Sequence, residues 1–279
     1  MTPFTERTPR VVAARKLHRR AERVATGRFL AEGAQAVREA VAAGVVRELF
    51  ATPAAAIRHP ELAATAALIT DRAAAALSDT VTPQGLFAVC DTVDVPLGVA
   101  LRGTPWLVAV LAEVSDPGNA GTVIRVADAA GAAAVVLAGN AVDPHNGKCV
   151  RASAGSLFHL PVATHPDVAA TVAAARAAGL LVLAATGRGG VDLDDAADSG
   201  LLAAPTAWVF GNEAHGLDDA VADAADHTVR VPIHGAAESL NLATAAAVCL
   251  YASARATRTA GLRHAGPAAI RSSAMASDE

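Results

Sequence analysis

Three short clusters in the second half of the chain combine glycines, amide side chains and isolated charges in patterns suited to close binding of a ligand. The first, Glu113-Val-Ser-Asp-Pro-Gly-Asn-Ala-Gly-Thr-Val-Ile-Arg125, carries Asn119, Gly121 and Arg125. In the second, Gly211-Asn-Glu-Ala-His-Gly-Leu217, the two glycines on either side of Glu213 allow backbone to come close to a bound molecule. A carboxylate placed straight after a buried strand needs partners, and Arg125 is the natural candidate if the two strand ends are neighbours. The third runs from Pro232 to Asn241 and puts Ser239 and Asn241 at the entry to a helix, where free amides and a partial positive charge collect. Each cluster also has a plain structural reading. Asn119 and Ser239 could simply cap helices, Glu213 could be a solvated loop residue, and His215, a lone histidine, is read as a surface residue.

These clusters need elements that bring them to one place. Apolar runs at 106–111, 133–137, 179–185, 206–210 and 228–231 alternate with helical stretches, including 121–130 and 239–251, which predicts a parallel sheet in an α/β domain. All three clusters then follow the C-terminal ends of strands or enter helices there, where open α/β sheets bind ligands. A smaller α/β unit comes first, in βαβ rhythm, with strands at 29–31, 45–51, 67–69 and 85–89. Its helices are expected at 34–43, ending at Gly44, and at 71–77 with Thr70 as cap. Thr52 and Pro53 break the pattern. Pro96, Gly98 and Gly103 mark a linker at 93–104, which sets domain bounds of 1–92 and 105–262 and leaves 263–279 as a tail expected to be disordered.

Bulk properties narrow the classes. Among 279 residues, 53% are hydrophobic and only 3% aromatic, which describes a globular chain with a core of small aliphatic side chains. The net charge of −4 hides basic ends, and Arg15, Lys16, Arg19 and Arg20 are candidates for gripping phosphates, weighed evenly against a solvated face. Lys148 and Arg151 could serve the same end nearer the site. Cys90, Cys149 and Cys249 lack zinc or disulfide spacing, and the nine histidines show none of a ligand set, so no metal is expected. No segment approaches the roughly 20 apolar residues of a membrane span, and no apolar leader is evident, so a reducing cytoplasm is expected.

Together the clusters resemble, in order, the three signature motifs of the SpoU/TrmH family of RNA ribose 2′-O-methyltransferases. Asn119-x-Gly121-x-x-x-Arg125 is similar to the first motif, Gly211-x-Glu213-x-x-Gly216-Leu217 to the second and Pro232 to Asn241 to the third. The stretch from Lys148 to Phe158 looks like a family segment between the first two, and the N-terminal part resembles the family's ribosomal-protein-like substrate-binding domain. The resemblance implies a parallel sheet closed by a C-terminal trefoil knot. It implies S-adenosylmethionine held bent by backbone around Gly211, Val231, Ile233 and Leu240, and two subunits that pair to complete the site. It implies catalytic roles for Arg125, Asn119, Glu213, Ser239 and Asn241, with RNA as substrate, ribosomal in preference to transfer RNA. A guanidinium is a poor base, so Arg125 is expected to clamp a phosphate and ease ionisation of the 2′-hydroxyl, oriented by the other four.

Rival readings fit less of the chain. Gly187-Arg-Gly-Gly190 lacks the spacing of a dinucleotide-binding loop, and Ser153-Ala-Gly155 lacks the preceding glycine of a nucleophile elbow. A catalytically silent RNA-binding protein on the same fold is opposed by the intact Asn119, Arg125, Glu213, Ser239 and Asn241.

Overall fold

The computed structural model describes residues 2–188 and 190–259. They form two compact units, one of the described residues up to Val93 with Asp143–Phe158, the other of Asp94–Val142 with the described residues from His159. The expected tail at 263–279 lies outside the described residues.

The first unit is built on a four-stranded sheet ordered β1-β4-β2-β3, with β1 at Arg28–Glu32, β2 at Val46–Ala51, β3 at Ala67–Leu68 and β4 at Leu86–Asp91. Only β2 and β3 run parallel, so the βαβ rhythm does not reveal the pairing. The apolar β4, buried along most of its length, enters between β1 and β2 and runs antiparallel to both. The basic leader is helical, as α1 (Pro9–Lys16) and α2 (Arg20–Thr26). Val11, Ala14 and Leu17 on one face pack with Ile69, Phe87 and Leu77, so half of this segment is core and not a solvated arm. Helix α3 spans Ala34–Ala42, α4 Pro53–Arg58, α5 Pro60–Ala63 and α6 Asp71–Leu77. Thr70 caps α6 as expected, its hydroxyl oxygen accepting from the Ala73 amide at 3.2 Å. The break at Thr52 and Pro53 is a helix start, with Thr52 as cap and Pro53 in the first turn.

The segment Asp143–Phe158 belongs to this unit although it lies between two strands of the other. Its Asp143 receives the guanidinium of buried Arg23 at 2.6 Å, while the same guanidinium donates to the Leu17 and His18 carbonyls, each at 2.9 Å.

The second unit carries a seven-stranded parallel sheet, as expected. In chain order it comprises α7 (Leu97–Ala100), β5 (Leu107–Ala112), α8 (Pro117–Ala130) and β6 (Ala134–Ala138). Helix α9 (Gly147–Ser153) belongs to the first unit, after which come β7 (Val162–His165), α10 (Val168–Ala177), β8 (Leu181–Ala185), β9 (Val191–Asp192) and α11 (Leu193–Asp198). The chain then runs through β10 (Thr206–Phe210), α12 (Asp219–Asp223), β11 (His227–Arg230) and α13 (Leu242–Thr259). The stretch expected to be a linker therefore holds a short helix.

Strands β5, β6 and β10 are buried throughout, because helices cover both faces, and that is why β5 and β6 are written as unbroken apolar runs and β10 is apolar after Thr206. The strand order is β7-β6-β5-β10-β8-β11-β9, so β5, β10, β8 and β11 lie side by side. Phe210 is in register with Leu111 on one side and Ala185 on the other, which brings together strand ends about 100 residues apart in sequence. Helix α13 packs on α8 and β10, and the Trp208 indole N–H donates to the Ser253 hydroxyl at 2.9 Å, which satisfies a donor otherwise stranded in the core. No helix among the described residues is long and apolar enough to cross a membrane.

Candidate active site

Helix α8 starts four residues earlier than its apolar pattern suggests. Asp116 is its N-cap, accepting from the Asn119 amide at 2.8 Å, and Pro117 occupies a first-turn position where a missing N–H costs little. Asn119 is therefore not the cap, and its side chain is left to work elsewhere. Its Nδ2 donates to Glu213 Oε1 at 3.1 Å, and its Oδ1 accepts from Asn241 Nδ2 at 3.1 Å. Asn241 is itself the cap of α13, its Oδ1 accepting from the amides of Ala243 at 2.9 Å and Thr244 at 3.3 Å. The expectation of Ser239 as cap is thus corrected by two residues, because the chain stays extended up to the residue whose carbonyl-bearing side chain can reach the first free amides. An ionised carboxylate only accepts, so Asn241 to Asn119 to Glu213 is a chain of fixed polarity.

Glu213 finds its remaining partners in the turn before α8. The Ser115 amide and hydroxyl each donate at 3.2 Å and the Asp116 amide at 3.1 Å. Partial burial raises the Glu213 pKa, but hydrogen bonds from its own amide, Asn119, Ser115 and Asp116 outweigh that effect and hold the carboxyl below its ordinary value. It is a fixed anion at neutral pH.

Arg125 is not the partner of Glu213. Six residues beyond Asn119 on a helix is a rotation of about 120° from it, so the two side chains leave α8 on different faces. The Arg125 side chain is exposed and makes no hydrogen bond or ion pair among the described residues. The Glu213 carboxylate is satisfied without it.

A cavity of about 840 Å³ opens at this end of the sheet, lined largely by residues of three strand-end loops. Gly211, Val231, Ile233 and Leu240 line it, as do Asn119, Glu213, Ser239 and Asn241, whereas Arg125 does not. Ile233 and Leu240 remain 38% and 37% exposed, an unusual state for large aliphatic side chains pointing into a cleft. From Ile233 to Leu240 the backbone makes no hydrogen bond with other backbone among the described residues, so its donors and acceptors stay open. Thr186, Asp192 and Arg230 also line the cavity, although their sequence context does not single them out.

A model of the SpoU rRNA Methylase family matches residues 106–251, and one of an MRM3-like substrate binding domain matches residues 8–88. The chain belongs to the SpoU rRNA methylase family. It is 36% identical to the 23S rRNA (guanosine(2553)-2′-O)-methyltransferase RlmP of Bacillus subtilis, over 85% of this chain and 92% of that one. The structure resembles that of the SpoU methyltransferase AviRb from Streptomyces viridochromogenes in complex with AdoMet, with a TM-score of 0.77 at 32% identity, covering 91% of this chain and 100% of that one. An AdoMet-bound rRNA methyltransferase from Sinorhizobium meliloti also superposes with a TM-score of 0.77, at 29% identity over 91% of this chain and 97% of that one.

The SpoU cofactor, S-adenosylmethionine, suits this cavity. Three carboxylates, from Asp192, Glu213 and Glu238, face a single guanidinium, Arg230, among the lining residues, a balance that favours a cation such as a sulfonium. Exposed Ile233 and Leu240 beside open backbone groups offer apolar faces and polar edges together, as an adenine ring requires. When bound, the cofactor supplies an electrophilic methyl group. The wall has little slack at Gly211, where a Cβ would collide with the Gly216 carbonyl, a backbone group that cannot swing aside. Gly211→Ala is therefore expected to weaken S-adenosylmethionine binding by more than about tenfold, about 1.4 kcal/mol, in isothermal titration. Unchanged affinity would show that this wall does not hold the cofactor.

The residues expected to bind RNA divide into two groups, both in the first unit. Arg15, Lys16 and Arg19 line one groove of about 590 Å³ with His18, Ser78 and Asp79, and Arg20 begins α2 just beyond. Lys148 is exposed on α9, while Arg151 pairs with Glu32 at 3.4 Å, so much of its charge is already matched.

Proposed function

We propose that this chain transfers the methyl group of S-adenosylmethionine to a ribose 2′-hydroxyl of ribosomal RNA. The observation that carries the reading is the Asn241–Asn119–Glu213 chain at the edge of a cofactor-sized cavity formed by three strand-end loops. Residues Gly211, Val231, Ile233 and Leu240 hold the cofactor, and Asn119, Glu213, Ser239 and Asn241 set the ribose against it. Positioning of this kind supplies much of the rate. Arg125 clamps an RNA phosphate and stabilises negative charge developing on the 2′-oxygen, while the proton leaves to a phosphate oxygen.

The trefoil knot is part of the same proposal. It is supported by β10 entering between β5 and β8, by the crossing to β11 beyond β8, and by the return of α13 onto α8 and β10. Pairing of two subunits is supported by the exposed Val248 and Tyr251 on α13 and by an Arg125 that makes no hydrogen bond or ion pair among the described residues. Cytoplasmic location fits three buried cysteines, Cys90, Cys149 and Cys249, that form no disulfide among the described residues. The N-terminal domain, 1–92, grips RNA through Arg15, Lys16, Arg19 and Arg20, with Lys148 and Arg151 assisting.

Arg15 and Lys16 make no ion pair among the described residues, whereas Arg10, Arg38, Arg47 and Arg72 are each matched by an acid. Replacing Arg15 and Lys16 together with alanine is expected to weaken RNA binding and to reduce its salt slope by about 1 for each phosphate that is no longer neutralised. Filter binding across a salt series checks this, and an unaltered slope would place the RNA-binding surface elsewhere.

The substrate class is tested by incubating the protein with labelled S-adenosylmethionine and either ribosomal or transfer RNA. Label in ribosomal RNA is expected. Label confined to transfer RNA would overturn the substrate assignment, and cofactor binding without transfer to either would favour a silent RNA-binding protein.

A further inference from the structure

Asn212, between Gly211 and Glu213, stands out neither by charge nor by motif, yet it makes the contacts that hold its turn in place. Its Nδ2 donates to the Glu113 carbonyl at 2.8 Å, and its Oδ1 accepts from the Ala214 amide at 2.8 Å. Its backbone N–H and carbonyl both bond to Gly216, at 2.9 and 2.8 Å, closing the turn from 212 to 216. The acceptor on Glu113 is equally unusual. Glu113 sits at φ +57°, a left-handed conformation that is strained for a residue with a side chain. Its amide remains in the sheet, donating to the Ala138 carbonyl at 2.9 Å, and its stem lies over Gly139, where a Cβ would come within 2.8 Å of the Glu113 Cγ. Two consecutive residues of one turn thus grip one segment, Asn212 at Glu113 and Glu213 at Ser115, Asp116 and Asn119.

We propose that Asn212 is a positioning residue that latches the turn bearing Glu213 to the end of β5 through the left-handed carbonyl of Glu113. The latch sets where the Glu213 carboxylate meets Asn119 and where Gly211 and Gly216 stand in the cofactor wall. Without it, the side-chain hydrogen bonds from the turn to that segment would be those of the exposed Glu213. This inference rests on the methyltransferase reading of the site.

The test is Asn212→Asp, which keeps the shape and the acceptor for Ala214 but turns an oxygen toward the Glu113 carbonyl. At saturating S-adenosylmethionine, kcat is expected to fall about 10²-fold, the loss typical of a small misplacement of reacting groups. The cofactor Kd is expected to rise about tenfold. The thermal midpoint should stay near that of the wild type, which separates positioning from folding. A second pair tests the carbonyl: Glu113→Gly, which adopts the left-handed turn freely, should turn over about tenfold faster than Glu113→Val, which resists it. Wild-type kcat and Kd in Asn212→Asp, or equal rates in the two position-113 variants, would overturn the latch. A wild-type chain that binds no S-adenosylmethionine would instead overturn the reading beneath it.

Discussion

Alanine at position 125 is expected to lower methyl transfer about 10²–10³-fold, the range seen when one preorganised donor to a developing oxyanion is removed. S-adenosylmethionine affinity should be unchanged, because Arg125 does not line the cavity and makes no hydrogen bond or ion pair with the residues that do. The guanidinium is exposed on α8 and spends no hydrogen bond among the described residues, so its donors are available to RNA. Arg125→Lys should recover only part of the rate, since an ammonium keeps the charge but loses the planar fork. Single-turnover kinetics beside cofactor titration separates the two effects. Joint loss of binding and turnover would mean that Arg125 supports the pocket and not the reacting oxygen.

The second large effect concerns stability and falls far from the cavity. Asp143→Ala is expected to destabilise the first unit by about 3–5 kcal/mol, because it strands a buried guanidinium. The Arg23 and Asp143 side chains are only 5% and 13% exposed, and the two carbonyls that Arg23 also reaches do not neutralise its charge. Urea unfolding followed through the first unit's transition measures the loss, and a change below about 1 kcal/mol would place the pair among weak surface bridges. Replacing both residues with apolar ones of similar volume should restore much of the loss. Burial works against the Asp143 charge, but hydrogen bonds from His145 and from Arg23 hold its carboxyl well below the ordinary range. Its folded pKa is thus depressed, so the contribution is complete above the unfolded value of about 3.9 and is lost as pH falls toward the folded value.

The strands of the second unit are legible because both faces of the sheet are buried, and runs such as Leu107–Ala112 and 207–210 have no polar interruption. Their order is not legible. Periodicity carries no information on which strand lies beside which, and β10 reaches the middle of the sheet only through its register with β5 and β8. The pairing of β4 in the first unit escapes for the same reason. Both site helices start elsewhere than their apolar stripes suggest, because a capping side chain decides the first turn: the Asp116-Pro117 step at α8 and Asn241 at α13.

Most candidate site residues do gather, since Asn119, Gly211, Glu213, Val231, Ile233, Ser239, Leu240 and Asn241 line one cavity. Charge alone points Arg125 at Glu213. The amides of Ser115 and Asp116 prove the better partners, and backbone donors leave no trace in residue type. Asn212 escapes a reading of the sequence because its role depends on the conformation of Glu113. A positive φ at a glutamate cannot be read from sequence.

The central claim is that methyl goes to a ribose oxygen. The direct measurement is alkaline hydrolysis of ribosomal RNA labelled by this protein from S-adenosylmethionine, because alkali cleaves only where a 2′-hydroxyl is free. Label is predicted in alkali-resistant dinucleotides. Label released entirely as mononucleotides would place the methyl on a base and contradict the account.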